Sequence, residues 1–497
     1  MSAEPRQDRY DVIVVGAGAA GCVVARRLAD RGLQIIVLEA GPELPVPVPA
    51  DWRDGWRLPT VPDWGYTSEP TGSADGKKLR RGRVIGGTSW LTRFAVRGAT
   101  VDFDGWAASG NAGWSYDEVL PVFRRIETDA EYGDTPWHGG GGPIPVTRYL
   151  DLPRSPIHAA AIEALEAVGI TPVEDHNAPG VIGVGPIPMS SRDGRRVTTA
   201  DGYLPDGQRP PHLTVRTDAA VASVVIDGDR AIGVRLADGT VIAAGGVVVS
   251  GGTYGSPTLL LRSGIGPADH LSDLGIPVVQ DLPGVGSNLA DHPGVDLDSG
   301  WRGTGVTGPV LHTIATLRSS SAGPDGAPDL MFWVSDPVGD EDGLYLDPIL
   351  LKPDSRGTVR LRSGDPADAP LITLPGIQAA RDVERLAEGY RLGLEIAAQP
   401  SLRRLATDAA PSGPATATEL KQRLRENVYS IPHVVGTCAM GPAPEAGAVV
   451  DADGRVHGVA GLRVVDASII PEPLSGFPHL VTIMVAERLA DRFVSSL

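Results

Sequence analysis

The sequence predicts an α/β protein, α+β taken as a whole, with a doubly wound parallel-sheet domain joined to a part built on an antiparallel sheet. Three observations carry this. A β-α-β unit with a glycine-rich turn runs from Asp11 to Gly41, and another parallel-type core strand stands far downstream at Val247 to Val249. Between Pro293 and Ala415, turn clusters alternate with strand-like patterns such as Thr358 to Ser363, which reads as an antiparallel sheet with one solvated face.

Within the first unit, Val12 to Val15 is a continuous apolar run, as a buried parallel strand requires. Gly16, Gly18 and Gly21 form G-x-G-x-x-G. The first glycine allows the tight turn, the second lets the backbone approach a pyrophosphate, and the third seats the helix close to the strand. The helix from about Ala19 to Asp30 turns its N-terminal N–H groups and positive dipole end toward that phosphate. Gly32 ends it, Ile35 to Leu38 is the next strand, and Glu39 closes the unit with a carboxylate able to accept both hydroxyls of an adenosine ribose. The stretch implies a bound dinucleotide and leaves NAD and FAD open.

The remaining elements follow in order. Pro42 to Gly65 is an irregular excursion, and a second glycine turn stands at Gly86-Gly87. Ser155 to Gly169 is a helix with Ser155 as N-cap and Pro156 at its first position. Leu213 to Val249 reads as strands with a hairpin at Ala237-Asp238-Gly239. Arg381 to Ala398 has helical period, Gly461 to Val465 is a short strand ending at Asp466, and Leu480 to Phe493 is an amphipathic C-terminal helix.

Length and composition bound the class. The 497 residues are about three domains' worth of chain. Neither a disulfide framework nor a cysteine-based metal site can be built from two cysteines, Cys22 and Cys438, and no metal site is expected. A net charge of −17 argues against nucleic acid. No run reaches the roughly 18 apolar residues of a spanning helix. Met1 to Arg9 is short and polar, with no apolar segment before the first core strand, so a cytoplasmic protein is expected. Arginine far outweighs lysine and alanine and glycine abound, a composition that fits a bacterial genome rich in GC.

Nine segments in order give the chain a resemblance to the glucose–methanol–choline (GMC) oxidoreductases over nearly its whole length. They are VIVVGAGAAGCVVARRLAD, VLEAGP, RGRVIGGTSWL, GGTYGSPTLLLRSGIGP, DLPGVGSNLADHP, SRGTVRLRSGDPADAP, HVVGTCAMG, GLRVVDASIIP and SGFPHLVTIMVAERLAD. The resemblance implies FAD, bound by a Rossmann-like domain assembled from residues 1–150, 196–292 and 430–497. An antiparallel-sheet substrate domain then falls to 151–195 and 293–429.

The same resemblance implies a site. Family members pass a hydride from an alcohol carbon to nitrogen 5 of the flavin while a base takes the hydroxyl proton. Histidine suits that role because its pKa of roughly 6.5 lets it accept a proton near neutrality. The matching positions are His433 in PHVVGT, assigned as general base, and His479 in FPHLVT, assigned to orient the substrate hydroxyl. FAD contacts are expected at Gly16, Gly18, Ala19, Ala20 and Gly21, at Glu39 and Ala40, and at Arg83, Gly86, Gly87, Thr88 and Ser89. Val221 or Val224 is expected beside the adenine, and Gly251, Asp466, Ala467, His479 and Leu480 complete the set. Some relatives attach FAD through a histidine near the second glycine turn. This chain has none between Arg80 and Trp106, which implies non-covalent FAD.

Other histidines read as structural: His292 at the junction between domains, and His138 as structural or channel-lining. Two departures from the family pattern stand out. Thr92 replaces an asparagine that supports the flavin, in a stretch one residue shorter than usual, and Phe477 replaces another asparagine. Trp90, Phe94 and Phe477 could all approach the flavin, which suggests a substrate with an apolar or ring-shaped face. The expected activity is oxidation of a small-molecule alcohol to a carbonyl, with electrons passed to oxygen or another acceptor. A hydroxynitrile-lyase-like activity on the same flavin fold is the alternative.

Overall fold

The computed structural model describes residues 10–70, 76–205, 207–297, 309, 311–336, 345–407 and 413–494; the segment Met1 to Arg9 lies outside them. In chain order, β1 (Tyr10–Val15), α1 (Ala19–Ala29) and β2 (Ile35–Leu38) form the opening unit. Next come α2 (Pro156–Ala167), β3 (Gly183–Pro186) and four strands: β4 (Leu213–Arg216), β5 (Val221–Asp227), β6 (Arg230–Leu236) and β7 (Val241–Val249). Then follow α3 (Gly252–Arg262), β8 (Pro293–Gly294), β9 (Leu311–Leu317), β10 (Leu330–Ser335) and β11 (Tyr345–Leu350). The last are α4 (Ala380–Ala397), β12 (Tyr429–Ser430), β13 (Leu462–Val464) and α5 (Pro478–Val494).

One sheet has the order β4-β2-β1-β7-β6-β5, with β13 also on β7. β1 is parallel to both β2 and β7, in the registers Val14↔Val37 and Val14↔Val248. β7 is long enough to serve two roles. Its first half pairs antiparallel with β6, and its last three residues pair parallel with β13. Val12 to Val15, β2 and Val247 to Val249 are wholly apolar and buried, as strands covered on both faces are. α5 packs against α1, and the amphipathic pattern expected of it gives way over its first half to burial all round. Leu480, Val481, Ile483, Met484, Val485 and Ala486 are all fully buried, and so is Glu487. That carboxylate is tolerable because Arg27 (2.8 Å), Arg125 (3.3 Å) and the Tyr203 hydroxyl (2.6 Å) meet it.

The second sheet, β12-β8-β11-β10-β9-β3, is antiparallel wherever its strands pair. The expectation of one solvated face fails, since nearly every residue of β9, β10 and β11 is buried. α2 and α4 cover one face through Ala161, Leu165, Leu386 and Tyr390. Phe94 and Phe477, distant in sequence, help cover the other with Met189, Ile314, Met331 and Ile349. Polar positions such as Thr313 suggest solvent in the sequence, yet the tertiary fold buries them.

His138 lines no channel. It is 1% exposed and sits in a buried ion cluster, its Nδ1 2.7 Å from Glu127 and its Nε2 2.9 Å from Asp175. Glu127, Asp129 and His138 bring ligand-type atoms within 4.8 Å of one another, but Arg97 is paired with Glu127, and Arg148 with Asp129 (2.9 Å) and Asp175 (2.6 Å). The carboxylates are thus already balanced by guanidinium groups, as in a structural ion network. Burial opposes the charged imidazole, but the hydrogen bonds to Asp175 and Glu127 outweigh it and raise the His138 pKa above its ordinary value. A raised pKa means that this stabilisation is complete below about pH 6.5 and fades as pH rises through the folded-state value. His138→Gln should therefore cost about 3 kcal/mol at pH 6, the scale for breaking a buried ion pair. The gap should narrow on the alkaline side, and urea unfolding of both proteins across pH checks it; a pH-independent gap would count against an imidazolium.

Candidate active site

The glycine-rich turn stands at the C-terminal end of β1, where a doubly wound sheet binds its ligand. Gly16 has φ +95°, and a Cβ there would lie 2.6 Å from the Ser250 carbonyl oxygen. A Cβ on Gly21 would lie 1.9 Å from the Gly16 carbonyl oxygen, so only glycine brings α1 this close to the turn. On Gly18 a Cβ would meet no atom within 4 Å. That glycine faces open space rather than protein, as a cradle for a pyrophosphate requires. Gly18 is also the N-cap of α1 without a side-chain cap, beside half-buried Ala19 and buried Ala20.

Glu39 accepts hydrogen bonds from the N–H groups of Ala17 (2.9 Å) and Gly41 (2.8 Å), one on each carboxylate oxygen. A carboxylate has about four acceptor sites, so two remain for a pair of ribose hydroxyls. The second glycine turn is pinned to the first: Gly86 donates its N–H to the Ala17 carbonyl (2.7 Å), and a Cβ on Gly87 would lie 2.8 Å from the Gly18 Cα. Half-buried Thr88 lies beside them, while the Ser89 hydroxyl turns back to the Gly86 carbonyl (2.5 Å). Arg83 donates to the Ala40 carbonyl (3.1 Å).

Not every expected contact has a free side chain. Asp466 accepts from Gly252 N–H (2.8 Å), the Ser256 hydroxyl (2.5 Å) and Ser468 N–H (2.8 Å), so three of its roughly four acceptor sites go to capping α3 and the following turn. Ala467 and exposed Gly251 are the accessible positions there. At the adenine end, Val224 is core and only Val221 is half-buried. Trp90 is likewise core, fully buried with its indole N–H on the Ile85 carbonyl (2.8 Å).

The histidines are set by two buried aspartates. Asp291 accepts from His433 N–H (2.8 Å), His292 N–H (2.8 Å) and the Ser430 hydroxyl, and Ala290 pairs with Val435, so residues 290–293 and 430–435 zip together. This brings His292 Nδ1 within 3.1 Å of His433 Nδ1, a contact that the sequence reading missed. The only hint was that both histidines lie near strand ends at the domain junction. Asp102 accepts from Ser475 N–H (2.8 Å), Ala99 N–H (2.9 Å) and Lys352 (2.9 Å), and Phe477 N–H bonds the Val96 carbonyl (3.2 Å). Those contacts fix the loop that leads into α5, whose second residue is His479. Phe477 joins the two histidine segments, with its ring centroid 4.5 Å from that of half-buried His433.

Burial, then His292 and Arg81, hold the His433 pKa well below its ordinary value. Burial, then Arg196, lower that of His479 to about 4. Both imidazoles are therefore neutral at pH 7. Around them Phe94, Trp333 and Phe477 form an aromatic cluster with centroids 5.2 to 5.8 Å apart.

A glycine cradle at the mouth of a doubly wound sheet, in a chain whose His433 and His479 imidazoles are held below their ordinary pKa, fits a dinucleotide-dependent oxidoreductase. Two models described as GMC oxidoreductase match residues 10–294 and 353–486, and the chain belongs to that family of FAD-binding enzymes. It is 35% identical to 5-(hydroxymethyl)furfural oxidase of Methylovorus sp., over 98% of this chain and 99% of the relative. It is 34% identical to an oxygen-dependent choline dehydrogenase of Pseudomonas putida, over 97% and 94%. The crystal structure of pyridoxine 4-oxidase from Mesorbium loti superimposes with a TM-score of 0.89 at 31% identity, covering 98% of this chain and 99% of that one. The residues at the trough fit FAD, through the open face of Gly18 and the two unspent acceptor sites of Glu39. Among the described residues no helix is long and apolar enough to cross a membrane.

Proposed function

We propose that this enzyme oxidises an alcohol on a ring-bearing substrate to the carbonyl compound, with His433 as general base and His479 holding the hydroxyl oxygen. The observation that carries this reading is His433, packed on Phe477 and tied at Nδ1 to His292. Two ring nitrogens 3.1 Å apart share one proton. When His433 Nδ1–H donates to His292 Nδ1, His433 Nε2 carries the free lone pair and takes the hydroxyl proton. The same bond then steadies the imidazolium, because neutral His292 goes on accepting from Nδ1–H. His479, neutral as well, donates one N–H to the substrate oxygen.

FAD, held without a covalent link, would supply the acceptor for the hydride that leaves the alcohol carbon, with oxygen or another acceptor as the final oxidant. The apolar faces of Phe94, Trp333 and Phe477 suit a ring on the substrate. Relatives named as oxidases of 5-(hydroxymethyl)furfural and pyridoxine support that choice.

An anaerobic panel of aromatic, aliphatic, polyol and sugar alcohols tests the proposal. Aromatic primary alcohols should bleach the yellow enzyme at the lowest concentrations. A preparation that stays yellow with every alcohol would overturn the reading, and cyanohydrin cleavage by that preparation would point to lyase chemistry instead.

A further inference from the structure

Among the described residues, Arg93 is a buried cation without a hydrogen-bonded anion. It is 5% exposed, and among the described residues its Nη1 has no hydrogen-bond partner. Its guanidinium stacks over the Phe94 ring, 5.0 Å from the centroid. A guanidinium has five donors and keeps its charge in proteins, so burial with a donor unmet is costly unless a ligand supplies the acceptor. Ser190, whose N–H bonds the Arg93 carbonyl (2.6 Å), also leaves a buried hydroxyl without a partner.

A second arginine stands behind the first. Arg196, 1% exposed, donates to the carbonyls of Thr92, Asp54 (3.0 Å) and Arg57 (2.6 Å), all main-chain oxygens rather than carboxylates. Burial and the charge of Arg93 lower its pKa to about 9, and burial lowers that of Arg93 to about 10, while the charge of Asp54 works the other way on both. Among the described residues the two neighbouring guanidinium groups thus hydrogen-bond no carboxylate, and Asp54 acts on both only through its charge, an arrangement that a hydrogen-bonded anion would relieve.

Their position identifies the ligand. Contacts lead from Arg93 to Phe94 (5.0 Å), from Phe94 to Phe477 (5.6 Å) and from Phe477 to His433 (4.5 Å). Arg196 is also near enough to His479 to help depress its imidazole. The cations therefore adjoin the aromatic cluster beside the proposed base.

We propose that Arg93, backed by Arg196, is a carboxylate-binding subsite, so that the substrate is a ring-bearing alcohol that also carries a carboxylate. This rests on the oxidative reading above for the hydroxyl end, but anion binding can be measured without turnover. The yellow holoenzyme would be titrated with 4-methylbenzoate and with its neutral isostere 4-methylbenzamide, by calorimetry and by perturbation of the flavin spectrum. Wild type should bind the carboxylate at least about tenfold more tightly. Arg93→Met should abolish that preference, a loss of roughly 10²-fold in carboxylate affinity, the scale of a charge-assisted hydrogen bond. Arg93→Lys should retain part of it. In turnover, the ratio of kcat/KM for 4-(hydroxymethyl)benzoate over 4-methylbenzyl alcohol should fall similarly in Arg93→Met.

Equal binding of the two ligands by wild type would overturn the subsite, a result that needs no variant to fold. An undiminished preference in Arg93→Met would do the same, as would loss of FAD by that variant with the preference intact, which would assign the cation to the cofactor. Bleaching by neutral alcohols without a carboxylate preference would remove the subsite alone. A carboxylate preference in an enzyme that no alcohol bleaches would remove the oxidative reading and keep the subsite.

Discussion

Replacing His433 by alanine is expected to slow alcohol oxidation by roughly 10²- to 10⁴-fold, the range for losing a general base. The loss should appear in the rate at which saturating alcohol bleaches the enzyme under anaerobic conditions. Substrate and cofactor binding should change less, because Asp291 holds position 433 through the main-chain N–H rather than the ring. The pH profile provides the second readout. A base must be neutral to work, and burial keeps the His433 pKa well below its ordinary value. The wild-type rate should therefore stay level as pH falls from 8 through about 6.5, with the acid limb displaced below that point. An alanine variant that bleaches at the wild-type rate, or a wild-type limb centred near pH 6.5 or above, would remove His433 from the role.

The second large effect is structural. Gly21→Ala should destabilise the protein by several kcal/mol and abolish FAD binding, although alanine is intrinsically the better helix residue by about 1 kcal/mol. The added Cβ would lie 1.9 Å from the Gly16 carbonyl oxygen, so α1 must lift off the turn that its N-terminus completes. Gly105→Ala supplies the contrast. That glycine is exposed within the helix Thr100–Ala108, and a Cβ there meets nothing within 4 Å. It should gain about 0.5 to 1 kcal/mol. Thermal unfolding and retained yellow colour report both, and similar behaviour of the two variants would refute the steric account.

Much of the first domain was legible because its signals are local. The strand Val12 to Val15, the three glycines and Glu39 lie within one stretch, and their spacing by itself implies a nucleotide between strand and helix. An antiparallel sheet was also expected, but the pattern at Thr358 to Ser363 that suggested it pairs with Leu371–Thr373 outside the second sheet. The second sheet's buried face was not legible because Phe94 and Phe477 come from other parts of the chain. Asp466 shows the same limit: a strand-end aspartate suggests a ligand contact, yet Gly252, Ser256 and Ser468 take up its oxygens. His292 read as structural because nothing in its neighbourhood announces a partner about 140 residues away, 3.1 Å from its ring.

The residues of the opening segment were enough for the βαβ geometry and a bound dinucleotide, because short-range spacing encodes both, whereas FAD and the choice of His433 and His479 came from the resemblance to the family. Only the tertiary structure decided their environment: which histidine leans on another, which aspartate is spent on a cap, and which arginine is buried without a hydrogen-bonded anion. Burial and charge pairing are set by neighbours that the chain brings together only when it folds, and these shift a pKa or leave a donor unmet.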